Sequence, residues 1–133
     1  MPFTPIRIIA LDHEASVIHP ITRDVNNRTT SEEATLYFEL SELATEDWTK
    51  IFNKSWAETG IRQSAKADKK NITFKTYLDF NNTMDEMLLR LKAQVSSTNL
   101  TYQNQLEIEA REEARKQSHH ATLRAMASRL KFD

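Results

Sequence analysis

Glycine occurs once in this chain of 133 residues, at Gly60, and cysteine not at all. Phosphate-cradling loops, dinucleotide fingerprints and nucleophile elbows need several glycines where backbone must approach a ligand or adopt positive φ, so one glycine argues against all three. Without cysteine there is no disulfide, no thiolate zinc site and no cysteine nucleophile, and the chain suits a reducing compartment. No apolar run approaches the roughly 20 residues of a membrane span. The opening Met1-Pro2-Phe3-Thr4-Pro5 lacks the basic-then-apolar order of a signal peptide. The reading is therefore a cytoplasmic protein with no membrane partner.

What is present is ordinary for a soluble domain: 39% hydrophobic and 28% charged residues with a formal charge of −1. The length predicts one fold unit. Five Asn-x-Ser/Thr triplets, at Asn27, Asn53, Asn71, Asn81 and Asn99, read as turn and cap chemistry rather than as glycan sites.

The β-rich runs Ile6–Leu11 and Val17–Ile21 flank the polar segment Asp12–Ser16 and predict a hairpin with a five-residue connection. Pro20, which has no ladder donor, marks an edge. Arg23–Glu33, polar except for Val25, reads as a loop. From Ala34 to Leu40 the residues alternate, Leu36, Phe38 and Leu40 against Thr35, Tyr37 and Glu39, which predicts a half-buried strand. Thr45 before Glu46 and Asp47 is a helix start. Trp48, Ile51, Phe52 and Trp56 follow on one stripe and Gly60 closes it, so the helix spans about 46 to 58.

Ile61–Lys70 reads as a basic loop. A second alternating strand then sets Ile72, Phe74, Thr76, Leu78 and Phe80 against Thr73, Lys75, Tyr77 and Asp79. Thr83-Met84-Asp85-Glu86 has the form of a capping box. From Thr83 to Phe132 there is neither glycine nor proline. Ser96-Ser97-Thr98-Asn99, poor in helix formers, predicts a break or kink in that run.

The order strand, helix, strand suggests a crossover unit, right-handed if its strands are parallel. The fold class is α+β: a two-layer sandwich of a small mixed or antiparallel sheet with helices on one face, plus a long C-terminal helix. Residues 1–96 are expected to form the sandwich and 97–133 a helical extension of the same domain. The expected core is Ile8, Leu36, Phe38, Leu40, Trp48, Ile51, Phe52, Trp56, Ile72, Phe74, Leu78, Met84, Leu88, Leu91 and Val95.

Neither a metal nor a cofactor is expected. His13 stands near Asp12, Glu14 and His19, but neighbours on a strand point to opposite faces. His119 and His120 are adjacent on a helix, not at the i, i+4 spacing that shares an ion. Glu42, Glu46, Asp47, Asp79 and Asp85 lie at element ends and could form a carboxylate pair only within a cleft that sequence does not reveal. Charge is segregated: Glu32–Glu58 carries seven acids and two lysines, whereas Arg115–Phe132 carries Arg115, Lys116, Arg124, Arg129 and Lys131 and no acid. Opposite patches on one chain favour docking or reciprocal contacts between copies.

These features point to a non-enzymatic protein–protein interaction module, an adaptor, inhibitor or assembly subunit. It would self-associate as a homodimer or dock a partner through helix residues Leu106, Ala110, Ala114, Ala121, Leu123, Ala125, Met126 and Leu130. The alternative is a single-stranded nucleic-acid-binding module. It would use Tyr37, Tyr77 and Lys75 on the sheet with Arg62, Lys66, Lys69 and Lys70 before it. A small hydrolase built on the carboxylates is the third reading.

Overall fold

The computed structural model describes residues 3–23, 29–78 and 84–131, with side chains of 19–32, 77 and 78 outside the description. Elements run β1 (Ile8–Leu11), β2 (Val17–Arg23), β3 (Thr29–Leu40), α1 (Glu46–Glu58), β4 (Ser64–Ala67), β5 (Asn71–Leu78) and α2 (Met84–Arg129). The five strands form one antiparallel sheet in the order β1-β3-β5-β4, with β2 also on β3. The α+β class expected from the sequence is the observed one, with a long C-terminal helix. Met1–Tyr102 forms one compact unit and Gln103–Asp133 a second.

The N-terminal hairpin is corrected. β1 and β2 do not pair with each other. Ile8 sits opposite Leu40 and Leu11 opposite Phe38, while Val17 sits opposite Thr35 and Arg23 opposite Thr29. The two are successive pieces of one edge, and Asp12–Ser16 is an excursion between them. The excursion keeps the ladder satisfied. The Asp12 N–H donates to the Tyr37 carbonyl at 2.8 Å, and the Tyr37 N–H donates to Ser16 Oγ at 3.1 Å. The Ser16 hydroxyl thus accepts where a strand carbonyl would.

The polar loop expected over Arg23–Glu33 is also corrected. β2 runs through Arg23 and β3 begins at Thr29, and only 24–28 lie outside the described residues. β3 therefore starts earlier than its apolar alternation. The alternation itself is as expected: Leu36, Phe38 and Leu40 are buried, as are Ile72 and Phe74 on β5. Leu36 faces Phe74 and Phe38 faces Ile72 across an antiparallel ladder. A parallel crossover between these strands does not occur, since α1 leads instead to β4, which pairs antiparallel with β5. β3 and β4 consequently run in the same direction on either side of β5.

Strand β4 stands where a basic loop was expected. Ser64-Ala65-Lys66-Ala67 buries its two alanines, which sit opposite Phe74 and Ile72. Asp68 turns the chain into β5, its Oδ1 accepting from the N–H groups of Lys70 and Asn71 at 2.9 and 2.8 Å.

Helix α1 has the bounds its sequence predicts. Thr45 Oγ1 accepts from the Trp48 N–H, Glu46 and Asp47 occupy the first turn, and Gly60 follows the Thr59 cap with φ +73°. Trp48, Phe52 and Trp56, at i, i+4 spacing, are buried and stack successively at 5.7 and 6.2 Å between ring centroids. Trp56 meets Phe74 edge-on at 6.2 Å. Each such buried side chain contributes roughly 1.5–3 kcal/mol against exposure. Ile51 is half-buried on the flank of the stripe.

Helix α2 is uninterrupted across Ser96–Asn99, contrary to the expected break. Met87, Leu91, Val95, Thr98 and Tyr102 are its buried residues, whereas Met84 and Leu88 are half-buried. Tertiary bonds outweigh the low propensity. The Thr98 hydroxyl donates to the Gln94 carbonyl at 2.8 Å, and Asn99 is held by Ile6, ahead of β1, and by Trp48 of α1. Thr83 lies outside the described residues. Asp85 and Glu86 stand in the first turn.

Candidate functional site

Two helix asparagines clamp backbone groups outside their helices, Asn53 those of strand β4 and Asn99 those of the segment before β1, and they are members of the triplets read from sequence as turn and cap chemistry. On α1, Asn53 Oδ1 accepts from the Ala67 N–H at 2.7 Å while its Nδ2 donates to the Ala67 carbonyl at 3.4 Å. On α2, Asn99 repeats this on Ile6, accepting from its N–H at 3.1 Å and donating to its carbonyl at 2.8 Å. Asn99 Oδ1 also accepts from Trp48 Nε1 at 3.0 Å. The Asn53 amide occupies the outward backbone groups of Ala67 on the outer strand β4, which removes them as a template for another strand, whereas Asn99 holds the segment leading into β1. Periodicity carried no signal for either, because a polar residue beside a core stripe reads as surface.

The sheet face turned away from the helices carries Thr35, Tyr37 and Glu39 on β3, opposite Lys75, Thr73 and Asn71 on β5, with Glu33 at the register position of Tyr77. Lys66 of β4 joins them opposite Thr73. Tyr37 and Lys75 are thus on one face as the alternation implied, Lys66, expected in a loop, joins them from β4, and Tyr37 is half-buried. Tyr37 and the register position of Tyr77 are four residues apart along the strands, about 13 Å, with Thr35 and Lys75 between. Arg62 reaches the same neighbourhood, lining with Glu33, Gln63, Ser64, Lys75 and Thr76 a cleft of about 400 Å³. Lys69 and Lys70 do not join them. Their carbonyls accept from the N–H groups of Ala44 and Leu40, and Lys70 lines a different cleft, of about 470 Å³, with Asp12, Glu39 and Glu42. The basic residues singled out from sequence therefore divide between two places, each containing acids.

Of the carboxylates considered for acid–base chemistry, Glu42, Glu46, Asp47 and Asp85 are exposed, Glu46 pairing with Lys50 at 3.2 Å. Asp79 lies outside the described residues. Among the described residues no group of three His, Asp or Glu could hold a metal ion. No described helix is long and apolar enough to cross a membrane.

The second unit is helix from Gln103 to Arg129, roughly 40 Å at 1.5 Å per residue. Glu107–Gln117, rich in Glu, Ala, Arg, Lys and Gln, has high intrinsic helix propensity. Gln105 donates to Glu109 and Gln117 to Glu113, each one turn away. Leu106 is half-buried, and every described residue from Glu107 onward is exposed, including Ile108 at 54%, Leu123 at 61%, Met126 at 40% and Leu130 at 51%. At about 100° per residue, Ala110, Ala114, Ala121 and Ala125 share an arc of roughly 60°. Ile108, Leu123, Met126 and Leu130 share a second arc of about the same width, roughly 160° away. The eight helix residues singled out from sequence thus occupy two faces, with Leu106 at the rim of the alanine face. Ile108 belongs with the aliphatic face and was missed because Glu107 and Glu109 isolate it in sequence.

The fold and its surfaces define an α+β protein with a long C-terminal helix carrying two apolar faces. Comparison with protein families, with curated proteins and with solved structures finds no match for this chain.

Proposed function

We propose that this protein is a non-enzymatic, cytoplasmic protein–protein interaction module whose docking element is the helix from Gln103 to Arg129. The observation that carries this reading is the exposure of Ile108, Leu123, Met126 and Leu130 together on one side of a helix whose other side is a run of alanines. Apolar surface in continuous strips is a cost to a chain that leaves it in water, and it is offset when another helix or groove covers it. The alanine face lets a partner helix approach closely and the aliphatic face offers anchors, and because the two lie roughly 160° apart a partner packed on one leaves the other free. The compact unit preceding the helix closes its own core around Trp48, Phe52 and Phe74 without drawing on any of these side chains.

The test is hydrogen exchange on the full chain, alone at rising concentration and in extract of its native host. Amides of 107–129 are expected to gain protection under one of the two conditions, and to lose it when the covered face is altered: Ala114→Glu with Ala121→Glu for the alanine face, or Leu123→Glu with Met126→Glu for the aliphatic one. Exchange at the rate of a solvated helix under both conditions would sink the reading.

A further inference from the structure

The order of charges along the exposed helix identifies what covers it. Glu107, Glu109, Glu112 and Glu113 crowd the first part, with Arg111 among them, and Arg115, Lys116, Arg124, Arg129 and Lys131 follow with no acid between Arg115 and Phe132. Two copies side by side in parallel register would set glutamate on glutamate and arginine on arginine. Two copies in antiparallel register set the acidic part of each against the basic part of the other.

The register is fixed by the residues between. A twofold axis passing between Gln117 and Ser118 places Ala110 of one copy against Ala125 of the second, and Ala114 against Ala121 of the second. All four are exposed and lie within one arc of about 60°. In that register the charges on both flanks complement each other. Glu113 and Arg124 line one shallow recess of the helix surface with Gln117 and His120, and the axis brings Glu113 of each copy beside Arg124 of the other. On the opposite flank Glu107 comes beside Arg129. Arg111 comes beside Thr122 and Ser118 comes beside its own copy, so no pair of like charges is opposed across the contact. In an isologous interface every such pair occurs twice.

We propose that the protein forms a homodimer through antiparallel packing of the alanine face of this helix, with the twofold axis between Gln117 and Ser118. The inference rests on the proposed docking role of the helix and names its occupant. Close approach of the backbones over the alanines puts the flanking pairs within ion-pair reach. The Ile108, Leu123, Met126 and Leu130 face points away from the contact.

The chain has no cysteine, so single-cysteine variants of the full chain report positions without background. Ser118→Cys, at the axis, is expected to shift to the dimer band with a short thiol-to-thiol cross-linker. Ala110→Cys is not, because its two copies lie about 22 Å apart along the axis, but a mixture of Ala110→Cys with Ala125→Cys is. His119→Cys, on the aliphatic face, stays a single chain. Self-linking of Ala110→Cys would indicate parallel packing and overturn the proposal. Linking at His119→Cys in place of Ser118→Cys would overturn it in favour of the other face and leave the docking role of the helix standing. Absence of linking in every variant would overturn the homodimer, and the exchange measurement in host extract then decides separately whether the helix docks anything at all.

Discussion

Asn99 holds the indole of Trp48, whose Nε1 donates to Asn99 Oδ1 across 3.0 Å. Trp48 is fully buried at the head of the stacked row on α1, and its N–H has to find a partner there. The same amide clamps both backbone groups of Ile6, so one side chain of α2 joins α1 to the segment that leads into β1. Asn99→Ala leaves a buried indole N–H and the Ile6 carbonyl without partners. The expected loss is roughly 2–4 kcal/mol, measured by urea unfolding followed by tryptophan fluorescence. Asn99→Asp should also destabilise, since it removes the donor and turns an oxygen toward the Ile6 carbonyl.

Asn53 acts more locally. Its amide covers Ala67 on the outer strand β4, a pairing that frees no buried tryptophan when removed. Asn53→Ala is expected to cost about 1–2 kcal/mol, and hydrogen exchange should locate the effect at Ala67 and its neighbours. An unchanged exchange rate for the Ala67 amide would show that the strand holds without the staple.

Gly60 gives a cleaner backbone test. Its φ is +73°, and a Cβ there would have nothing within 4 Å. Gly60→Ala therefore clashes with nothing and carries only the cost of the left-handed conformation, about 1 kcal/mol after the gain from a less flexible unfolded chain. Gly60→Asn should cost less. Thermal unfolding of the two variants beside the native chain measures the difference.

The sheet face offers a contrast with the helix. Tyr37 and Lys75 share it with Glu33 and Glu39, and carboxylates beside an aromatic platform repel phosphate. Fluorescence anisotropy should find no salt-dependent binding of single-stranded oligonucleotides, and Tyr37→Ala with Tyr77→Ala should change nothing. Binding that weakens steeply with salt and is lost in that pair would restore the nucleic-acid reading.

Much of the fold could be read from local pattern. Helix α1 was legible to the residue because its cap, its apolar stripe and Gly60 all lie within fifteen or so positions and agree. The alternations over 34–40 and 72–78 gave the two central strands for the same reason. What escaped were decisions made by distant partners. Ser64-Ala65-Lys66-Ala67 has no large apolar residue, and it is a strand because Phe74 and Ile72 stand opposite its alanines. Nothing within Asp12–Ser16 says whether the chain reverses or continues; that depends on the Tyr37 backbone, which Asp12 and Ser16 meet. Ser96–Asn99 stays helical because Ile6 and Trp48 bond to Asn99 across more than fifty residues of sequence. On the C-terminal helix the alanine and aliphatic strips were visible as periodicity, while the twofold match of charges emerged only once the helix was known to be continuous and exposed from Glu107 onward.

The most direct test of the account is a charge-reversal cycle on the full chain, read as the dimer dissociation constant by sedimentation equilibrium. Glu113→Arg alone and Arg124→Glu alone should each weaken the dimer roughly tenfold, since each exposed pair contributes up to about 1 kcal/mol and occurs twice. The double variant Glu113→Arg with Arg124→Glu should recover most of the native affinity. A native chain that sediments as a single copy at every concentration, or a double variant no tighter than the singles, would contradict the antiparallel helix dimer.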